Sequence, residues 1–168
     1  MSPTRLTAPP ISFGRHHARW AVALGDGGLV HLRQDFSDLY FVIHADTNRL
    51  YEALRAQAGN PFDANPCPPF AELPHDPKFA DVARPMRQSA DYPIPLPELC
   101  HYGGAITFAD GMTRTRWLIF HRAATFPIAA TESSVAALHA LIGLTDHPPR
   151  LAAALAAPPG ATSPRGTL

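Results

Sequence analysis

The stretch that decides the fold runs from Ala105 to Thr131, AITFADGMTRTRWLIFHRAATFPIAAT. Ile106, Thr107 and Phe108 are β-branched or aromatic, the side chains that suit a buried strand. Asp110-Gly111 interrupts them, because glycine reaches backbone angles that other residues avoid. From Thr113 the period changes to a helical one: Trp117 and Phe120 fall three apart, with Leu118 and Ile119 between them. Phe126-Pro127-Ile128 then opens a second apolar extended run. The order is strand, glycine turn, helix, strand. Arg114 and Arg116 stand where the helix begins, and a helix start presents unpaired N–H groups and a partial positive charge. Two guanidinium groups added there make a phosphate-binding corner. The plainer alternative is a β–turn–α unit whose basic rim residues face water.

Working outward, Met1 to Pro10 reads as a flexible polar start. Arg19–Leu24 and Leu29–Leu32 flank Gly25-Asp26-Gly27-Gly28, which predicts a β-hairpin. Asp35 to Leu39 is a polar connector, and Tyr40-Phe41-Val42-Ile43 is a short buried strand. Asp46 or Thr47 caps a helix whose Leu50, Leu54 and Ala58 share the face that packs on the sheet. Residues 60–77 carry Pro61, Pro66, Pro68, Pro69, Pro74 and Pro77. No regular element is expected there, only a surface excursion or a lid. Phe79 to Met86 predicts a helical turn or two. Tyr92 to Leu96 reads as an edge-like extended segment, and Pro97-Glu98-Leu99 as a short helix or turn. His101-Tyr102-Gly103-Gly104 is either a hairpin turn or a neighbour of the phosphate corner. On the far side, Thr131 caps a helix over Glu132–Leu144, with Val135, Leu138, His139 and Ile142 at helical spacing and Gly143 ending it. His147-Pro148-Pro149 breaks the chain, Leu151 to Ala157 adds a last turn, and residues 158–168 read as a disordered tail. Mixed strands and helices of this kind predict an α+β class: one compact domain over residues 11–157, built on a small mixed sheet.

Composition narrows the function. The chain has 168 residues, 46% of them hydrophobic, enough for one domain with a real core. Basic and acidic residues balance at 14 each, which argues against the broad basic face that grips duplex DNA. Nineteen prolines favour loops and extended segments over long helices. Cys67 and Cys100 do not make a disulfide scaffold, so a reduced, cytoplasmic protein is expected. The start MSPTRLTAPP has no apolar signal core, and no apolar run approaches the ~20 residues of a membrane span. The histidines show no metal-ligand spacing and read as surface or capping residues. No G-x-S-x-G or Ser/His/Asp pattern points to a hydrolase triad.

Phe108, Asp110, Gly111, Thr113, Arg114, Thr115, Trp117, Leu118, Phe126 and Pro127 carry a further signal. A strand ending in F-x-D-G, then x-T-R-T-x-W-L, then a closing F-P strand resembles the plasmid fertility inhibition factor family, of ParB/sulfiredoxin-like fold. The resemblance implies a plasmid-encoded bacterial protein that suppresses conjugative DNA transfer through a type IV secretion channel. It implies the coupling protein or another secretion component as partner, with nucleotide and DNA as further ligands. It also implies ATP and Mg2+ as cofactors, and ATP hydrolysis and DNA cleavage as the associated activities. On that reading Asp110 and Arg114 are the catalytic candidates, and Gly111, Thr113, Arg114, Thr115 and Arg116 bind phosphate.

Arg114 is the first choice, since it occupies the position of the ParB-type phosphate arginine. Arg116 points to a different side of the helix and either reaches a neighbouring phosphate or faces water. Thr113 and Thr115 offer hydroxyls to phosphate or to the helix start, and Gly111 lets the main chain approach a ligand or simply turns it. Asp110 either holds magnesium through water or braces Arg114; Glu98 and Glu132 are the nearest other carboxylates in sequence. Trp117 is a core residue or an interface anchor. Gly111-Met112-Thr113-Arg114 stands where sulfiredoxin chemistry needs Gly-Cys-His-Arg, so no thiol is available for reductase chemistry. ParB-type loops read Gly-Glu-Arg-Arg; Thr113 replaces the first arginine, which weakens triphosphate binding. Too little chain follows Leu144 for a ParB-type helix-turn-helix.

Overall fold

Strand β1 (Ser12–Phe13) pairs antiparallel with β2 (His17–Ala23), which returns through Gly25–Gly28 as β3 (Leu29–Asp35). This is the expected hairpin. Alternation puts Ala18, Trp20, Val22, Val30 and Leu32 on its buried face. The computed structural model describes residues 12–13 and 16–156. The polar start and the tail from 158 lie outside the described residues.

Strand β4 (Tyr40–Asp46) runs three residues past the expected Ile43, because its ladder with the later strand at 125–131 continues to Asp46. Asp46, not Thr47, then caps α1 (Thr47–Ala56): its carboxylate accepts from the N–H groups of Asn48 (3.0 Å) and Arg49 (3.1 Å). A cap of this kind is worth about 1 kcal/mol. Leu50 and Leu54 are buried as the periodicity requires. The helix stops at Ala56, so Ala58 leaves the packed face and is exposed.

The proline-rich segment corrects the expectation of an irregular surface excursion. It contains a 3-10 turn over Phe70–His75 and buries Cys67 and Leu73. Side chains hold it where a backbone ladder cannot. Arg55 donates to the Cys67 carbonyl at 2.6 Å, and the Phe70 and Phe120 rings stack at 5.6 Å. Next comes α2 (Phe79–Arg87), followed by β5 (Ile94–Pro95), a two-residue edge strand lying parallel to β3.

Pro97-Glu98-Leu99 is not a helix or turn. β6 (Glu98–Tyr102) begins there and turns at Gly103 (φ +58°) and Gly104 (φ +76°) into β7 (Ala105–Asp110). Two successive left-handed residues suit a tight hairpin, and glycine adopts them without strain. The decisive stretch then forms as read: α3 (Met112–Phe120) and β8 (Thr125–Thr131). Thr131 occupies the cap position of α4 (Glu132–Ile142), although its hydroxyl pairs with that of Ser133 (3.2 Å). After the break at 147–149 come β9 (Arg150–Leu151) and a 3-10 turn over Ala152–Ala156.

The class is α+β, with two small mixed sheets instead of one. Their orders are β1-β2-β3-β5 and β7-β6-β8-β4-β9. Trp20 of the first meets His44 of the second edge-on at 6.5 Å, and α1 and α4 pack on the second. One continuous core joins these layers. Among the described residues no helix is long and apolar enough to cross a membrane.

Candidate functional site

The site grows from the turn between β7 and α3. Gly111 has φ +82°, and a Cβ built there would lie 2.8 Å from the Pro97 Cα. Glycine is therefore required by the fold: the main chain approaches Pro97, the residue just before β6. Asp110 uses both carboxylate oxygens locally. Oδ1 accepts from the Gly111 N–H at 2.7 Å, and Oδ2 is ion-paired with Arg114. Arg114 also donates to the Pro95 carbonyl at 2.9 Å. The guanidinium is thus held in one orientation at the helix start, which is the bracing role considered for Asp110.

No side chain caps α3. Its first-turn N–H groups and positive dipole end open into a cleft of about 430 Å³. Gly111, Met112, Thr113 and Arg114 form one wall with Asp110, while Asn65, Lys78 and Val82 form the other. Lys78 is exposed, and its ammonium has no carboxylate partner among the described residues. A second hollow of about 270 Å³ adjoins this one and shares Lys78, Val82, Thr113 and Arg114.

Two sequence candidates do not reach the cleft. Thr115 is fully buried, and its hydroxyl finds no protein partner. Arg116 is 9% exposed, facing neither a phosphate site nor water. Two positions beyond Arg114 on a helix, it is rotated toward the proline-rich segment. There it pairs with Asp76 at 3.2 Å and donates to the carbonyls of Asn65 (3.3 Å) and Pro66 (3.2 Å). Burying a guanidinium demands such partners. The same Asp76 oxygen lies 3.4 Å from the Thr113 hydroxyl, and its other oxygen accepts from the Lys78 N–H at 2.9 Å. Asp76 thereby ties the two walls together.

Other expectations separate from the corner. Trp117 is a core residue, 1% exposed and 3.9 Å from the His121 ring. Burial lowers the pKa of that imidazole. The 101–104 turn lies at the opposite end of β7 from Asp110. Glu98 stands across the ladder from Asp110, but its carboxylate accepts from the Tyr40 hydroxyl at 3.2 Å, and its charge raises the tyrosine pKa. Neither Glu98 nor Glu132 lines the cleft. Chemically the corner suits an anion: uncapped N–H groups, a fixed guanidinium and a free ammonium. For magnesium the polar end supplies one carboxylate, already engaged twice. Asn65, Asp76, Lys78 and Val82 were not legible as site residues. The available signal was Asp76-Pro77 just ahead of an apolar helix, a combination typical of helix starts.

The sequence pattern of the plasmid fertility inhibition factor family matches residues 42–143, from β4 to the end of α4 and through the whole corner. The chain belongs to that family. Protein osa of Shigella flexneri is 30% identical over 104 residues, covering 58% of this chain and 53% of that protein. The chain thus spans about half the length of the curated relative it matches. Its fold is also that of a crystal structure of Oncogenic Suppression Activity Protein, described as a plasmid fertility inhibition factor and solved as a gold(I) cyanide derivative. That chain is 23% identical, with a TM-score of 0.78 over 88% of this chain and 80% of the other.

Proposed function

We propose that this protein suppresses conjugative DNA transfer by interfering with the type IV secretion and coupling machinery, and that the α3 corner binds a nucleotide. The family match over residues 42–143 carries this reading. Support for the corner comes from chemistry: phosphate oxygens satisfy the uncapped N–H groups of α3 while Lys78 and Arg114 balance their charge. Docking on the machinery is supported by the Phe62 and Tyr102 rings, T-shaped at 5.1 Å and exposed by 45% and 67%. Aromatic side chains of this kind anchor interfaces. Binding without turnover is favoured over ATP hydrolysis or DNA cleavage. Asp110, the one carboxylate at the polar end, is committed to Arg114 and Gly111, and phosphoryl transfer calls for a metal held beside the phosphates.

A mating assay tests both halves. Expression of the wild-type chain in donor cells lowers transfer frequency. Arg114→Ala weakens nucleotide binding, whereas the pair Phe62→Ala and Tyr102→Ala weakens transfer suppression and leaves nucleotide binding intact. An unchanged mating frequency with the wild-type chain would overturn the reading.

A further inference from the structure

We propose that α4 is the contact face of a symmetric homodimer, packed antiparallel against the α4 of a second copy of this chain. A surface helix normally carries charge along its outer side. α4 instead turns Ser133, Ala136, Ala140 and Leu141 to solvent, with Ala137 half-buried among them and Leu141 45% exposed. Its inner side buries Ser134, Leu138 and Ile142, and the helix packs on β4, β6, β8 and α1. The apolar surface continues beyond the helix. Leu141 stands on the rim of a hollow of about 360 Å³, which α1 and the β6–β7 hairpin line with Ala53, Ala56, Gly104 and Ile106.

The charges at the two ends of this face select its occupant. Glu132, exposed at the start of α4, has no cationic partner among the described residues. Arg49 lies at the other end, where its guanidinium donates to the carbonyls of Ala140 and Gly143, both at 2.8 Å. It has no carboxylate partner among the described residues. Glu132, Ala136, Ala140 and Gly143 follow one another at helical spacing, so the two charges close opposite ends of one row. A second copy lying antiparallel brings each Glu132 to the Arg49 of the other. Helical side chains lean toward the N-terminus, which carries Glu132 past the C-terminal end of the opposing helix. A parallel copy would set like charge against like. The two-fold axis then passes between Ala136 and Ala137, and Ser133 faces the partner's Ala140. Opposed helix dipoles favour the same orientation, and the small side chains let the axes approach closely. The chain has a formal net charge of zero, so two copies meet without long-range repulsion. An 11-residue helix and its rim bury less than the roughly 800 Å² per copy of a standard interface, which places the dissociation constant at about 10–100 μM.

The test is analytical ultracentrifugation of the full chain over a concentration series reaching about 200 μM. Wild-type protein shifts from monomer to dimer within that series. Ala140→Glu stays monomeric, and Glu132→Lys weakens the dimer roughly fivefold, as does raised salt. Both sites are exposed on the helix, and circular dichroism checks that each variant keeps its fold. Oxidative cross-linking in a Cys100→Ser background, with Cys67 buried, fixes the orientation. Ala136→Cys links to itself beside the axis. Ser133→Cys does not, but links to Ala140→Cys when the two proteins are mixed. A chain that stays monomeric to the top of the series overturns the proposal and leaves the face to some other protein. A dimer that Ala140→Glu leaves intact overturns the assignment of this face, and self-linking of Ser133→Cys overturns the antiparallel arrangement. Growth beyond the dimer overturns the two-fold contact, which closes on itself.

Discussion

At the scale of single residues, the corner is a matter of backbone more than of charge. Gly111 holds a left-handed turn against Pro97, and an added methyl group would collide with that backbone at 2.8 Å. Gly111→Ala is expected to cost about 1–3 kcal/mol from the dihedral alone, with the collision adding to it. Denaturant unfolding of the variant measures the loss, and a change under 0.5 kcal/mol would show the turn to be tolerant. The Asp110–Arg114 pair is different in kind. Asp110 is 65% exposed on its side chain, so the pair contributes little to stability. Its effect is to orient the guanidinium. Asp110→Asn should leave the melting temperature nearly unchanged and weaken anion binding.

At the scale of elements, the proline-rich segment behaves as a fixed wall. Arg116 and Asp76 have side chains only 10% exposed each, and between them they join residues 65–66, the start of α2 and the first turns of α3. Removing one member of a buried pair strands the other charge, typically at about 3–5 kcal/mol. Arg116→Ala should fall in that range by thermal or denaturant unfolding, and the Asp76→Ala, Arg116→Ala double variant should cost less than the two losses added. Additive losses would show that the pair acts independently. Local reading recovered most elements here: the 25–28 hairpin, the helix after Asp46-Thr47, whose cap it left open between those two residues, and the strand, turn, helix and strand from 105 to 131. It failed at β6. Pro97-Glu98-Leu99 has turn-like propensities, and that segment is a strand because β7 and β8 offer ladders on either side. Leu99 is buried as a result.

At the scale of the whole molecule, the junction of the two sheets holds a titratable group. His44 sits between Trp20 and His147, and burial first, then the nearby His147 and Arg150, bring its pKa down from 6.5 to about 4. The folded state therefore binds this proton less readily than the unfolded state. Between pH 6.5 and about 4 the unfolded chain takes up the proton and the folded chain does not, so stability falls as the solution is acidified. The loss totals about 3 kcal/mol and levels off below the folded pKa. Unfolding midpoints across that range should show the decline, and His44→Phe should flatten it. An identical slope in that variant would place the acid sensitivity elsewhere.

Periodicity and breakers, which act over a few residues, were enough for the sequence to determine the α+β class, the β–turn–α corner and Arg114 at its helix start. The tertiary structure alone decided that Arg116 and Thr115 turn inward, that Lys78 comes to face Arg114 across a cleft, and that the strands divide into two sheets. Each of those outcomes depends on partners far along the chain: Asp76 lies 40 residues from Arg116. Which partner a buried charge or an open strand edge finds is settled only when the whole core closes.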